Sequence, residues 1–421
     1  MTYEEALAYI HHVSRLGSRP GLSRVRELCA LAGDPQKELS FVHVAGTNGK
    51  GSFCSMLSSV LTASGRRVGT FTSPYVYRFN ERMAVNGEPI GDSELANIIE
   101  KLRPLAESME DTPTEFALLT VAGFEFFLSR GCDIVVLETG LGGRLDSTNI
   151  IESPLLSVIT GIDYDHTALL GDTLEKIAAE KAGIIKAGRP VLCAQIPEGP
   201  AGVIKEKARL SGSECIFINN SDLSKINCTL DGCSFKASGY EKPFEISLCG
   251  VYQPENALLV IRAAELLGID ETSVREGLSA ARWRARFEVI SRNPTVIFDG
   301  GHNPQGVAAA VASARAVYGG KYAVLTGVMA DKDYTDMASA VSEIAEAVFC
   351  TVPDNPRALN SDALADCYRR FGIYAESVPQ VFDAVRSALK YAKEKEMPLL
   401  CLGSLYMYRQ VRDALTDLLG V

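Results

Sequence analysis

Through the first half of the chain, short apolar runs alternate with longer stretches whose apolar positions recur at helical spacing. The runs at 41–44, 68–70, 134–137 and 156–159 read as strands, and the stretches at 52–64 and 116–128 as helices. Strands that alternate with helices in this way belong to a parallel sheet with helices on its faces. A second series begins at 295–298 and continues through a helix at 304–317, strands at 322–325 and 347–350, a helix at 381–393 and a strand at 398–402. The pattern predicts an α/β chain of two tandem domains. Between the series, Ala280-Ala-Arg-Trp-Arg-Ala-Arg-Phe-Glu288 breaks the apolar periodicity with basic residues and the single tryptophan, which places the boundary here and gives domains of 1–285 and 286–421. The segment 215–248 differs again. Its short polar strands, such as 234–237, and its turn pair Asp231-Gly232 predict a small antiparallel excursion on the first domain.

Length and charge narrow the possibilities. At 421 residues the chain exceeds what one core usually supports. A formal net charge of -10, from 42 basic and 52 acidic residues, argues against a nucleic-acid partner, whose phosphates would have to be neutralised by Lys and Arg. The eleven cysteines form no C-x-x-C pairs, so reduced thiols and a cytoplasmic location are expected. An acidic start and the lack of any apolar run of about 18 residues predict no membrane or export route.

Candidate chemistry gathers where strands end. After the run at 39–42 comes His43-Val-Ala-Gly-Thr-Asn-Gly-Lys-Gly-Ser52, a strand running into a glycine-rich loop. Gly46, Gly49 and Gly51 let backbone N–H groups approach phosphate oxygens, Lys50 adds a point charge, and Ser52 brings a hydroxyl to a helix N-terminus. The spacing departs from G-x-x-x-x-G-K-[ST], with two residues between Gly46 and Gly49 and a further glycine between Lys50 and Ser52. At 134–138 a strand ends in Glu138 before a glycine-rich turn, where a carboxylate beside a triphosphate can hold magnesium or, alternatively, cap a helix or pair with a cation. Ile162-Asp-Tyr-Asp-His166 follows another strand. His43, His166 and His302 are all expected at strand ends, three of only five histidines in the chain. Lys181 lies near the end of a helix begun near Thr173, as part of a solvated face or facing the same site as His166. Val296-Ile-Phe-Asp-Gly-Gly-His302 presents Asp299 and His302 at a tip, to bind a nucleoside or to form an Asx turn before Pro304.

Together with Thr72-Ser-Pro74, Asn80-Glu-Arg82, Glu138-Thr-Gly-Leu-Gly-Gly-Arg-Leu-Asp-Ser-Thr-Asn149, Asp165-His166, Glu180-Lys-Ala-Gly-Ile184 and Asp299-Gly-Gly-His-Asn-Pro304, the loop at 43–52 closely resembles the folylpolyglutamate synthase and dihydrofolate synthase family, which belongs with the Mur ligases. The resemblance runs from Gly21-Leu-Ser-Arg24 to Gly403-Ser-Leu-Tyr406. It implies a P-loop-type, mostly parallel N-terminal sheet and a smaller Rossmann-like C-terminal domain, with the nucleotide between them. It also implies an ATP-dependent ligase that joins L-glutamate to a folate or dihydropteroate carboxylate through an acyl phosphate.

By this resemblance Thr47, Asn48, Gly49, Lys50, Gly51, Ser52, Asn256, Arg286, Asp299 and His302 contact ATP. Ser73, Glu138 and His166, with Ser52 nearby, hold magnesium, which the family uses as two ions. Lys50, His166 and Lys181 are the catalytic set, with Lys181 carbamylated by carbon dioxide. Gly21, Leu22, Arg24, Leu145, Asp146 and Ser147 lie on the folate or pteroate side, and Ser404 near glutamate. A monomer is expected. Departures from the family pattern include Tyr75 and Tyr252 in place of histidines, Trp283-Arg284-Ala285-Arg286 in place of Trp-Pro-Gly-Arg, Gly301 in place of alanine, and Ala117 in place of glutamate. They leave the acceptor open between dihydropteroate and a reduced folate. A Mur-type ligase for another amino-acid or peptide acceptor, and a nucleotide-binding protein without turnover, are the competing readings.

Overall fold

The computed structural model describes residues 1–14 and 21–420. Its first sheet is built from β1 (Phe41–Ala45), β2 (Val68–Phe71), β3 (Met83–Val85), β4 (Glu88–Pro89), β5 (Ile134–Glu138), β6 (Leu156–Ile159), β7 (Val191–Cys193) and β8 (Cys215–Phe217). They stand in the order β4-β3-β2-β5-β1-β6-β7-β8. Strands β2, β5, β1, β6, β7 and β8 run parallel, while β3 and β4 add an antiparallel edge. Every residue of β1 and β5 is buried, as expected for central strands covered on both faces. The helix Glu115–Ser129 is apolar nearly all round and is correspondingly buried, its Phe124 and Phe127 packed in one core with Phe41, Phe71 and Leu137. Thr114 caps it by accepting the Ala117 N–H at 3.2 Å.

A second set comprises the three-stranded sheet β9 (Leu223–Thr229), β10 (Gly232–Ala237) and β11 (Phe244–Ile246), all antiparallel. It is followed by β12 (Glu288–Arg292), β13 (Thr295–Asp299), β14 (Tyr322–Thr326), β15 (Ala345–Cys350), β16 (Tyr374–Ser377) and β17 (Leu399–Leu402). These last six form one sheet in the order β12-β13-β17-β14-β15-β16, parallel except for β12. The helix Pro304–Val317 starts with proline in its first turn and is capped by the Asn303 side chain, which accepts the Gly306 N–H at 2.8 Å.

The chain divides into two compact units, Met1–Asp222 with Glu255–Ala281, and Leu223–Pro254 with Arg282–Val421. The β9–β11 excursion, expected on the first domain, therefore groups with the C-terminal residues. The reason is local. The Val251 N–H donates to Ser313 Oγ at 3.0 Å, Arg292 donates to the Leu230 carbonyl at 3.2 Å, and Leu230 packs on the core that holds Phe287 and Val307. Residues 255–281 return to the first unit because the helix Glu271–Ala280 lies against Lys50–Ala63. A Cβ on Gly277 would run into the Val60 backbone, and Ser59 Oγ donates to the Gly277 carbonyl at 2.7 Å.

Two further expectations are corrected. His43 is not at a strand end but at the centre of β1, fully buried. The cysteines are not all reduced, since Cys228 and Cys233 form a disulfide. The two are direct register partners across the β9–β10 hairpin with Cα atoms 4.1 Å apart, a proximity that the strand pairing creates and spacing alone does not reveal.

Candidate active site

The loop after β1 is shaped by what its carbonyls meet. Gly49 adopts a left-handed conformation (φ 86°) as the N-cap of the helix Lys50–Ala63, with the Asn256 side chain close against it. Lys50 turns back over the loop, its Nζ donating to the Gly46 carbonyl at 3.0 Å and the Thr47 carbonyl at 3.2 Å. Lys181 Nζ donates to the same Gly46 carbonyl at 2.9 Å. Two amines thus converge on one peptide oxygen. Lys50 Nζ is also 4.0 Å from Glu138 Oε1, and Glu138 Oε2 accepts the Ser73 N–H at 3.2 Å. Ser52 lies buried in the first turn of the helix that Lys50 begins.

Lys181 is only 3% exposed. Burial, and then the neighbouring Lys50 charge, draw its ammonium down to about 7, partly offset by Asp165 and Asp146. Its position comes from glycine chemistry. Thr173 caps the helix Leu174–Lys181, and the turn after β5 packs directly on the end of that helix. The Arg144 N–H donates to the Glu180 carbonyl at 2.8 Å, and a Cβ on Gly143 would meet the Glu180 and Lys181 carbonyls within 3.0 Å. Asn149 Nδ2 donates to the Arg144 and Gly183 carbonyls at 3.0 and 3.1 Å.

Within that turn Asp146, assigned to the acceptor side, directs its carboxylate into its own loop. It accepts the Leu141 N–H at 2.8 Å, the Thr148 N–H at 3.0 Å and the Thr148 hydroxyl at 2.5 Å. Burial raises its pKa against those hydrogen bonds. Because the Thr148 hydroxyl donates to Asp146, its oxygen accepts from His43 Nε2 at 2.9 Å, which fixes the His43 tautomer. Burial then holds His43 neutral, with its pKa lowered to about 3. Leu145 is exposed, whereas Ser147 is buried. Arg24 is buried near the start of the helix Ser23–Leu31 and donates to Asp111 at 3.0 Å, next to Leu22 and the positive-φ Gly21.

His166 has a left-handed backbone (φ 49°, ψ 38°) at the N-cap of the short helix Thr167–Leu170, with its Nε2 3.9 Å from Asp165 Oδ1. Such a conformation costs energy in a non-glycine residue and concentrates at functional sites. The segment leading to it is clasped to the loop after β1. Thr47 N–H donates to the Gly161 carbonyl at 2.9 Å, while Thr47 Oγ1 accepts the Asp163 N–H at 3.0 Å and donates to the Asp163 carbonyl at 3.1 Å.

In the C-terminal unit, the carboxyl ends of β13 and β17 lie together. Asp299, 3% exposed, accepts the Tyr252 hydroxyl at 2.8 Å, the Phe287 N–H at 2.9 Å and the Gly301 N–H at 2.7 Å. Burial, then the Asp299 charge, push the Tyr252 phenol well up. His302 Nδ1 lies 3.0 Å from the Gly300 carbonyl, and Arg286 Nη1 donates to the Ala285 carbonyl at 3.1 Å. The Gly403 N–H donates to the Gly301 carbonyl at 3.1 Å, bringing Ser404 beside this loop, where its Oγ accepts the Tyr406 N–H at 3.2 Å.

Of the residues named from sequence, Lys50, Lys181, Glu138 and Ser73 are brought together around the loop after β1. Sequence reading assigned no role to Thr148, Thr160 or Asp163, which meet His43, the Asn48 carbonyl and Thr47 through contacts between segments distant in sequence. It also missed that Tyr252, noted only as a departure, anchors Asp299. Among the described residues no group of three or more His, Cys, Asp or Glu is disposed to hold a metal. A magnesium site here would instead combine the Glu138 carboxylate with serine oxygens and one imidazole. The Glu138 carboxylate, held by the Ser73 N–H, and the buried Ser52 hydroxyl are hard oxygen donors of the kind magnesium prefers.

Residues 44–264 match the Mur ligase middle domain and residues 285–405 the Mur ligase glutamate ligase domain. The chain is 37% identical over 435 residues to a dihydrofolate synthase/folylpolyglutamate synthase of Bacillus subtilis, covering 98% of this chain and 99% of that one. It is 34% identical over 434 residues to a folylpolyglutamate synthase of Lacticaseibacillus casei, covering 99% of each. Among solved structures, Mycobacterium tuberculosis folylpolyglutamate synthase complexed with ADP and AMPPCP superposes with a TM-score of 0.89 at 27% identity, covering 100% of this chain and 99% of that one. An FPGS–AMPPCP–folate complex superposes with a TM-score of 0.86 at 32% identity, covering 99% of this chain and 100% of that one. With both Mur ligase domains present and relatives matched end to end, the chain belongs to the folylpolyglutamate synthase/dihydrofolate synthase family of ligases.

Proposed function

We propose that this chain joins L-glutamate to the carboxylate of a folate or dihydropteroate acceptor at the expense of ATP, releasing ADP and phosphate. The observation that carries this reading is the convergence of the Lys50 and Lys181 amines on one loop carbonyl beside the Glu138 carboxylate. ATP analogues and folate in the solved relatives' complexes support the same substrates here.

An unactivated carboxylate is a poor electrophile. Transfer of the terminal phosphoryl group to an acceptor carboxylate oxygen gives an acyl phosphate. The glutamate amine then attacks its carbonyl carbon, the C–N bond forms, the C–O bond breaks and phosphate leaves. Phosphoryl transfer needs positioning and charge stabilisation more than covalent help. Loop amides of residues 48–52 cradle the phosphates, Thr47 contacts ATP while tying the loop to residues 161–163, and the Lys50 ammonium offsets the phosphate charge. Asn256, Arg286, Asp299 and His302 are the remaining ATP contacts. Ser52, Ser73, Glu138 and His166 would hold magnesium as two ions, which when bound neutralises charge on the phosphoryl oxygens. Lys181 is suited to carbamylation, because an amine held near neutrality is substantially unprotonated at cellular pH. The ammonium first gives up one proton, and the neutral nitrogen then adds to carbon dioxide with loss of a second, so that a cation becomes an anion. Gly21, Leu22, Arg24 and Leu145 to Ser147 form the acceptor side, with Asp146 acting through the turn it shapes, and Ser404 lies on the glutamate side. The enzyme would act as a cytoplasmic monomer.

Phosphate release from ATP, with glutamate and magnesium, is compared for dihydropteroate, tetrahydrofolate monoglutamate and no acceptor. Release with dihydropteroate assigns dihydrofolate synthase activity, and release only with the reduced folate assigns a dedicated polyglutamate synthase. Acceptor-independent release, or none with either compound, would overturn the reading.

A further inference from the structure

We infer that Thr160, just past the end of β6, is a positioning residue of the nucleotide site, holding the Asn48 carbonyl so that the phosphate loop presents amides rather than carbonyls to its ligand. The inference rests on the nucleotide-binding reading above. A loop that receives phosphate must keep its peptide oxygens out of the anion's path, since they repel it as strongly as the N–H groups attract it.

Each carbonyl of the loop has an identifiable holder. Gly46 O accepts from Lys50 at 3.0 Å and Lys181 at 2.9 Å, and Thr47 O from Lys50 at 3.2 Å. Gly49 O accepts the Phe53 N–H at 2.9 Å as an ordinary helix bond. Asn48 O accepts from Thr160 Oγ1 at 2.7 Å, the shortest of these contacts. The lysines are the groups the reaction recruits, so their grip on the carbonyls weakens when they turn to phosphate or carbon dioxide. Thr160 carries no charge and is not recruited. Its own N–H is fixed to the Ala45 carbonyl at 2.9 Å, and it is 8% exposed. Its hydroxyl also occupies the space that a side chain on Gly46 would need, so the glycine and the threonine fit as a pair.

The test compares Thr160→Val, which keeps the shape and loses the donor, with Thr160→Ser, which keeps the donor. ATP and glutamate KM values, calorimetric binding of a non-hydrolysable ATP analogue and thermal midpoints are measured for both. Loss of one buried hydrogen bond should raise the ATP KM and the analogue Kd roughly tenfold in Thr160→Val. The glutamate KM should stay at its wild-type value, the thermal midpoint should fall by no more than the few degrees that one hydrogen bond is worth, and Thr160→Ser should restore ATP affinity to within about twofold. Equal ATP affinity in the Val and Ser variants would overturn the assignment, as would a uniform rise of both KM values with a fall in thermal midpoint. If Lys50→Ala loses analogue binding while Thr160→Val keeps it, the positioning role alone fails. A wild-type chain that does not bind the analogue sinks both readings.

Discussion

Lys181 illustrates how a single side chain becomes chemically distinct through its surroundings. Sequence placed it at the end of a helix, where a solvated lysine is the ordinary outcome. Its burial follows from the glycine turn of residues 140–143 pressed onto the helix end, which no local pattern encodes. With its folded pKa near 7 and an ordinary value of 10.5, the unfolded chain binds more protons between those limits, so stability should rise across that window. Below about pH 7 both states hold the proton and the penalty is full. Lys181→Met removes the titrating group. In buffers free of carbon dioxide, urea unfolding should show wild type gaining stability on Lys181→Met between pH 7 and 10. Parallel pH profiles for the two proteins would refute a buried, depressed lysine. The same residue should respond to carbon dioxide itself. Lys181→Ala is expected to lose turnover and to regain part of it with small added carboxylates. No rescue, together with an unmodified wild-type lysine by mass, would count against carbamylation.

At the level of elements, most of the fold was legible, because the strands of the central sheets are mostly apolar and flanked by turn residues. The excursion at β9–β11 was legible as a hairpin but not in its allegiance, which depends on contacts from Leu230 and Val251 to residues distant in sequence. The loop at 46–52 was legible as a glycine-rich turn from strand to helix, and its phosphate role is the proposal made above. Two of the chain's glycines separate conformational need from space. Gly65 has φ 83° with nothing within 4 Å of an added Cβ, so Gly65→Ala should cost about 1 kcal/mol of stability and leave the ATP KM unchanged. Gly46 has no positive φ, but its Cβ would collide with Thr160. Gly46→Ala should therefore abolish ATP-dependent phosphate release. Denaturant melts with steady-state kinetics on both variants decide the matter, and comparable kinetics would remove the close-packing account of the loop.

For the whole molecule, the first unit holds the loop at 46–52, Glu138, His166 and Lys181, and the second holds Arg286, Asp299, His302 and Ser404. What could not be read was the detailed wiring, such as the Asp146–Thr148–His43 chain and the anchoring of Asp299 by Tyr252, since both join residues whose types are common in any loop or core. Lys50 contacts two loop carbonyls and faces Glu138, so Lys50→Ala should reduce turnover by more than a hundredfold, on the order of the loss of a principal electrostatic stabiliser. Turnover within about tenfold of wild type would remove Lys50 from the phosphate site. The most direct test of the central claim labels the acceptor's carboxylate with heavy oxygen and follows one round of glutamate ligation. Ligation through an acyl phosphate transfers one labelled oxygen to the released phosphate for each amide formed. Unlabelled phosphate alongside amide product would contradict it.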